Sequence, residues 1–268
     1  MHEDWLIEAD ALPDRGRIFC IASAGCTAFA LASRGASVTA VDANPAQIEY
    51  VRARLEGAEP RIGVVDGMLA RLRRLSRLVG WNPAALSEFC ALGDCRAQLD
   101  FWRERLDTRR FRSGLGLILN PLSLRLAYSS PLVAALPPSY GRALRSRLER
   151  GFALHPNREN PYARFLLLGE AEQPEPRPGI DLTLACDDAV AYLERVAPSS
   201  FDGFSLSNVL DGTSSAYGRR LRSAVRRAAV PGAVVIFRSF NVPATTEEEG
   251  WAARDRSLLW GSVQVEKM

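Results

Sequence analysis

The chain has 268 residues, 47% of them apolar, and a formal net charge of +3. That apolar share can bury a normal core and excludes wholesale disorder, while so small a net charge gives no footprint for a nucleic-acid partner. Five cysteines (Cys20, Cys26, Cys90, Cys95, Cys186) with no CxxC pair exclude a zinc site or a disulfide framework, so no metal is expected. The start is acidic and lacks a signal-peptide hydrophobic run, and no stretch approaches the roughly 18 uninterrupted apolar residues of a membrane span. A reduced, cytoplasmic protein is expected.

Ile18–Ala22 is a short apolar run, as expected of a strand buried on both faces of a parallel sheet. Ser23, Ala24, Gly25 and Cys26 form a small-residue turn before a helical pattern from Thr27 to Arg34, which Gly35 ends. Ser37–Val41 is a second strand, closed by Asp42 and Ala43. Strand, turn, helix, strand and terminal acid make the first βαβ unit of a doubly wound fold. Gly25 lets a ligand approach the backbone, the N–H groups opening the next helix can take polar oxygens, and Asp42 can accept both ribose hydroxyls. A single glycine is not the GxGxxG dinucleotide fingerprint, and a structural turn has the same spacing as a ligand-binding one. Asn44-Pro45 then reads as N-cap and first residue of a helix over Ala46–Leu55, closed by Gly57.

From about residue 61 to 178 the pattern is mainly helical, with segments over Met68–Val79, Ala97–Leu106, Ser139–Phe152 and Tyr162–Leu168. Val64–Asp66 reads weakly as a small strand. Two arginine clusters (Arg71, Arg73, Arg74, Arg77 and Arg142, Arg145, Arg147, Arg150) lie on helices with apolar faces. They read as solvated helix faces, or as a basic surface for peripheral contact with an anionic membrane. His155 lies in a turn-prone loop, where a histidine is structural or serves as a base near a reacting hydroxyl. The Pro-rich stretch Gln173–Gly179 cannot continue a helix and marks the return to the core.

Ile180–Cys186 reads as strand three, followed by Asp187 and Asp188 and a helix over Ala189–Arg195. These acids cap the helix, or one of them meets the amino group of adenine. Phe201–Ser207 is strand four, leading into Asn208 and Asp211. After a helix over Tyr217–Ala229, the Pro231-Gly232 turn leads to strand five, Ala233–Phe237, with Arg238 at its tip. Ser257–Val265 can supply closing antiparallel strands. Strand tips thus present Gly25, Asp42, Asp187 or Asp188, Ser207, Asn208, Asp211 and Arg238 where doubly wound sheets hold ligands. An arginine there can grip a carboxylate, and S-adenosylmethionine carries one.

With these residues in place, the chain resembles the betaine-lipid-synthase family, the diacylglycerol 3-amino-3-carboxypropyltransferases. The resemblance lies in Trp5, Ile21–Cys26, Ala40–Gln47, Asn160–Tyr162 with Leu167–Gly169, Ser205–Asp211 and Phe237–Ser239. Thr27 stands where that family has Asn, and the region after Leu55 departs from it in being rich in Arg and Gly. The resemblance implies an α/β fold with a Rossmann-like, class I methyltransferase-type doubly wound sheet. Residues 1–60 and 179–268 would form this core, with a helical insertion over 61–178 as lid or acceptor site. It further implies transfer of the aminocarboxypropyl group of S-adenosylmethionine to an acceptor hydroxyl, of a diacylglycerol-like lipid or a small metabolite, releasing 5′-methylthioadenosine. Asp42 would hold ribose, Asp187 or Asp188 adenine and Arg238 the donor carboxylate, with Asp211 as general base. An ordinary methyltransferase and a non-catalytic nucleoside-binding or membrane-associated regulatory protein are the alternatives.

Overall fold

The computed structural model describes residues 3–61, 63–126, 128–170 and 174–268. Six strands, β1 (Arg17–Ile21), β2 (Ser37–Asp42), β3 (Leu182–Cys186), β4 (Phe201–Ser205), β5 (Ala229–Ser239) and β6 (Ser262–Lys267), form one sheet in the order β3-β2-β1-β4-β5-β6. The first five are parallel and β6 closes the edge antiparallel to β5. This is a mostly parallel α/β sheet compatible with a Rossmann-like fold.

Helices α1 (Leu6–Ala11), α2 (Cys26–Ser33) and α3 (Pro45–Leu55) belong to the first third of the chain. After α3, which follows β2 and packs on the sheet, the stretch leading to β3 holds α4 (Val64–Leu75), α5 (Pro83–Cys90), α6 (Cys95–Phe101), α7 (Arg109–Ile118), α8 (Pro121–Leu124), α9 (Ser130–Ala135), α10 (Tyr140–Leu154) and α11 (Pro161–Leu168). Then come α12 (Ala189–Arg195), α13 (Ser215–Ala228) and α14 (Thr246–Arg254). Among the described residues, no helix is long and apolar enough to cross a membrane.

Strand alternation explains why the central strands read as unbroken apolar runs. In β1, Ile18 and Cys20 enter a core with α1, α2 and α14, while Phe19 enters a second core on the other face with α12 and α13. β5 divides in the same way, Ile236 going to the first core and Val235 and Phe237 to the second. The helices between β2 and β3 have a third core of their own, built on Phe89, Trp102, Phe111, Leu148 and Phe152. Leu258, from the C-terminal segment, enters that core against α10, where a Cβ at Gly151 would collide with its Cδ2.

Four sequence expectations change. Val64–Asp66 begins α4 instead of forming a strand, because the Asp66 carboxylate accepts the Gly63 N–H at 2.9 Å and caps the helix start. Helix 68–79 starts earlier and ends as a 3-10 turn over Ser76–Val79. Strand five is longer than expected. Pro231-Gly232 lies within β5 at an irregularity where Phe201 pairs with Ala229 but Gly203 with Val234. A single strand, β6, closes the sheet. Gln173, the start of the Pro-rich stretch, lies outside the described residues.

Phe19 is fully buried at the centre of the second core, in ring contact with Tyr192, Phe201 and Phe204. Phe19→Ala should lower unfolding stability by about 3–5 kcal/mol, read from the urea midpoint. A loss of a few tenths would mean that this face collapses around the deletion.

Candidate functional site

The candidate site is the carboxyl rim of the parallel strands. The chain winds outward from β1 to β3 on one side and from β4 to β6 on the other, so β1 and β4 flank the topological switch point. Ligands of open α/β sheets bind at such a point. At the tip of β1, Gly25 N–H donates to Ala22 O at 2.7 Å, and Ser23 and Gly25 both take positive φ (44° and 84°). A Cβ at Gly25 would meet the Phe29 ring at 2.9 Å and Val51 at 3.1 Å. The turn and the packing of α2 and α3 therefore require a glycine here, beside any role in a ligand's approach.

Asp42 ends β2 half-buried and fastens two neighbouring segments. Its Oδ2 accepts from Ser23 N at 3.0 Å and its Oδ1 from Asn44 N at 2.9 Å. Each carboxylate oxygen has a further acceptor site, so the group can still receive two hydroxyls. Asn44 caps α3 through Ala46 N, beside the exposed Ala43. Asp187 N donates to the Asp42 carbonyl at 3.0 Å, which places Asp187 next to Asp42 on the rim. The hydrogen bond from Arg195 holds the Asp187 carboxyl below the ordinary carboxylate range. Asp188 is engaged elsewhere. Its Oδ1 caps α12 through Val190 N and Ala191 N, and its Oδ2 accepts from Tyr217 Oη at 2.8 Å.

Ser23, Ala24, Asp42 and Asp187 thus gather at one end of the rim, and Ser207, Asn208 and Asp211 follow β4 across the switch point. Ser207, also at positive φ, donates its hydroxyl to Glu3. Asp211 accepts from Ser239 Oγ at 2.7 Å and from Phe240 N at 3.0 Å, joining the segment after β4 to the exit of β5. His155 is not brought to Asp42. Its Nε2 lies 2.8 Å from the Ala253 carbonyl in α14, the helix on edge strand β6, with three strands between that edge and β2. Burial holds its pKa below the usual histidine value, against the Ala253 hydrogen bond.

Arg238 corrects the sequence reading most sharply. Its side chain has no exposed surface. Nη2 donates to Glu8 Oε2 at 2.9 Å and to the Asp4 carbonyl at 3.0 Å, and Nε donates to Asp255 Oδ2 at 3.1 Å. It cannot reach a donor carboxylate. The pleat gives the reason: Arg238 shares a face with Ile236, and that face is covered by α1, which carries Glu8. Three of the four arginines of the second cluster are also committed to protein partners. Arg145 pairs with Asp107, Arg147 donates to the carbonyls of Phe240 and Leu259, and Arg150 to that of Trp260, so these three are not simply solvated, while Arg142 stays exposed.

Two groups escaped sequence reasoning. Arg54 is buried at 2% exposure and donates to Ala24 O at 2.8 Å, Cys26 Sγ at 3.3 Å and Pro174 O at 2.9 Å, pinning the β1 turn to the segment entering β3. Its spacing from Ile48 and Val51 puts it on the apolar stripe of α3, which is the signal that could have found it. The second group is the acidic start of the chain. Glu3, Asp4 and Glu8 are buried with Asp255 around Arg238 and Arg256, four carboxyls to two guanidiniums. Among the described residues, no group of three His, Cys, Asp or Glu could hold a metal ion.

Burial, opposed by Arg238, raises the pKa of both Glu3 and Asp255. A carboxyl raised in the folded state stabilises the fold while protonated and loses that contribution as pH climbs through its folded value. Stability should therefore decline as pH rises above the ordinary carboxylate range, and Glu3→Gln should flatten the decline. Urea unfolding at a series of pH values measures both slopes; equal slopes would remove Glu3 from this account. Compared with known proteins, the chain matches no family model, no curated protein and no solved structure.

Proposed function

We propose that the chain is an S-adenosylmethionine-dependent 3-amino-3-carboxypropyltransferase with a methyltransferase-type core. In this reading the core comprises residues 1–60 and 179–268, and the helices of 61–178 form the acceptor side. The observation that carries it is Asp42. Its carboxylate stands at the tip of β2, one strand from the switch point, oriented by two backbone N–H groups with acceptor capacity left for a ribose. Asp187, which also pairs with Arg195, is the acid for the adenine side because its backbone N–H joins it directly to Asp42, whereas Asp188 caps α12 and accepts from Tyr217. With Arg238 sealed in the interior, the donor's carboxylate falls to the N-terminal end of α2 beside Ala24, whose dipole suits an anion.

The donor supplies a sulfonium, a leaving group that departs as a neutral thioether when an acceptor hydroxyl attacks the adjacent γ-carbon. One carbon–oxygen bond forms, one carbon–sulfur bond breaks with its electron pair going to sulfur, and the hydroxyl proton goes to a base. Asp211 lies on the rim's β4 side, bonded to the Ser239 hydroxyl, and is the base we assign. The acceptor is a diacylglycerol-like lipid or a small hydroxyl metabolite. Which carbon reacts depends on which one is held in line with the nucleophile.

The test has two parts. Asp42→Asn should weaken binding of S-adenosylmethionine by about 10–100-fold in titration calorimetry, the loss expected for a hydrogen bond to a charged group. Incubation of the wild type with donor and lipid or metabolite extracts should release 5′-methylthioadenosine. S-adenosylhomocysteine as the product would replace the proposal with a methyltransferase. Binding without any nucleoside product would make the chain a donor-binding regulator.

A further inference from the structure

Between β2 and β3 the molecule shows a surface that is not built for water. Leu78 of the 3-10 turn is 72% exposed, Leu117 of α7 71%, Leu122 of α8 75% and Leu126, just after it, 90%. An ordinary surface helix turns its leucines inward. Here the inward positions are already filled, by Phe111 and Leu124, so these leucines are surplus to the core.

They stand on one continuous support. Thr108 Oγ1 donates to Val79 O at 3.0 Å, a Cβ at Gly114 would touch Val79 at 3.1 Å, and Trp81 stacks on Phe111 at 4.6 Å, which fixes the 3-10 turn against α7. Ser123 Oγ donates to Leu117 O at 3.0 Å, while Asn120 Oδ1 accepts from Leu122 N and Ser123 N, so α8 is folded tightly back on the end of α7. The leucines are held out on rigid backbone.

Their setting has one sign of charge. Residues 67–79 and 108–126 contain eight arginines and no acidic residue. Arg71, Arg74, Arg77, Arg109, Arg110 and Arg125 are exposed and have no carboxylate partner among the described residues. Protruding aliphatic side chains on segments whose exposed charges are all arginines complement a layer that is apolar beneath an anionic surface. We propose that the face made by the Ser76–Val79 turn, α7 and α8 docks on an anionic lipid bilayer, with Leu78, Leu117, Leu122 and Leu126 entering below the headgroups. This goes beyond the transferase reading, because bilayer binding requires no donor.

The test is co-sedimentation of the full chain with vesicles of two parts phosphatidylcholine to one part phosphatidylglycerol, and with phosphatidylcholine alone. The wild type should sediment with the mixed vesicles and much less with the neutral ones. A Leu122→Gln, Leu126→Gln double variant should bind the mixed vesicles at least about tenfold more weakly, since apolar burial is lost. Arg109→Gln with Arg110→Gln should reduce the preference for the anionic vesicles. Both variants should keep the wild-type melting temperature and affinity for S-adenosylmethionine, so that failure of docking is separable from failure of the donor site. Equal sedimentation of wild type and leucine variant would overturn the proposal. So would a wild type that ignores vesicles and is dimeric by light scattering while the leucine variant is monomeric, which would make the patch a contact between copies.

Discussion

A guanidinium with no exposed surface holds the two ends of this chain together. Arg238 joins the tip of β5 to Glu8 in α1, to the Asp4 carbonyl and to Asp255 after α14. A buried charge survives only where its donors are satisfied, and removing one partner of such a pair commonly costs 3–5 kcal/mol because the other stays behind unpaired. Around it, Ser205 of β4 donates to Glu8, Ser207 to Glu3, and Arg256 takes both oxygens of Asp4. Tyr162 of α11 donates to the Glu3 carbonyl at 2.7 Å, which ties the helices between β2 and β3 into the same network. The β4 and β5 ends of the rim, the N-terminal segment and α11 are thus positioned by one charge cluster.

That cluster divides the rim in two. On the β1–β2–β3 side the polar groups face backbone N–H donors and keep acceptor capacity, as Asp42 does. On the β4–β5 side the buried Arg238 and the half-buried Ser207 hold the N-terminal segment, while Asp211 joins the segment after β4 to the exit of β5. Groups with spare acceptor capacity on the first half and groups tied to the N-terminal segment on the second follow from the same sheet, because parallel strands deliver all their tips to one edge while the pleat decides which tips point into it.

The helices between β2 and β3 add a separate physical character. Their core is aromatic and self-contained, yet α10 sends Arg147 and Arg150 to carbonyls of the C-terminal segment, and Gly151 makes room for Leu258. One side of this layer is therefore fastened to the sheet domain by buried arginines. Another carries exposed arginines, without carboxylate partners among the described residues, together with exposed leucines. The same residue type serves as interior donor or surface charge according to whether carbonyls or water lie in its reach.

Local chemistry was legible in the sequence. The central strands showed as apolar runs because both faces are buried, Asn44-Pro45 and Asp188 showed as caps because a cap bonds within three residues, and Asp42 showed as the end of β2. What required the tertiary structure was direction and partnership. Arg238 and Glu8 are 230 residues apart, and no local pattern pairs them. That Gly25 also packs against Phe29 and Val51 is visible only once α2 and α3 are placed beside the turn. β5 runs through Pro231-Gly232 because pairing with β4 resumes beyond the irregularity, which turn chemistry alone cannot foresee. Spacing and caps act over one turn or one pleat, so the chain itself determines the elements. Charge burial acts through space, so only the assembled sheet decides which strand-tip residues are free to bind.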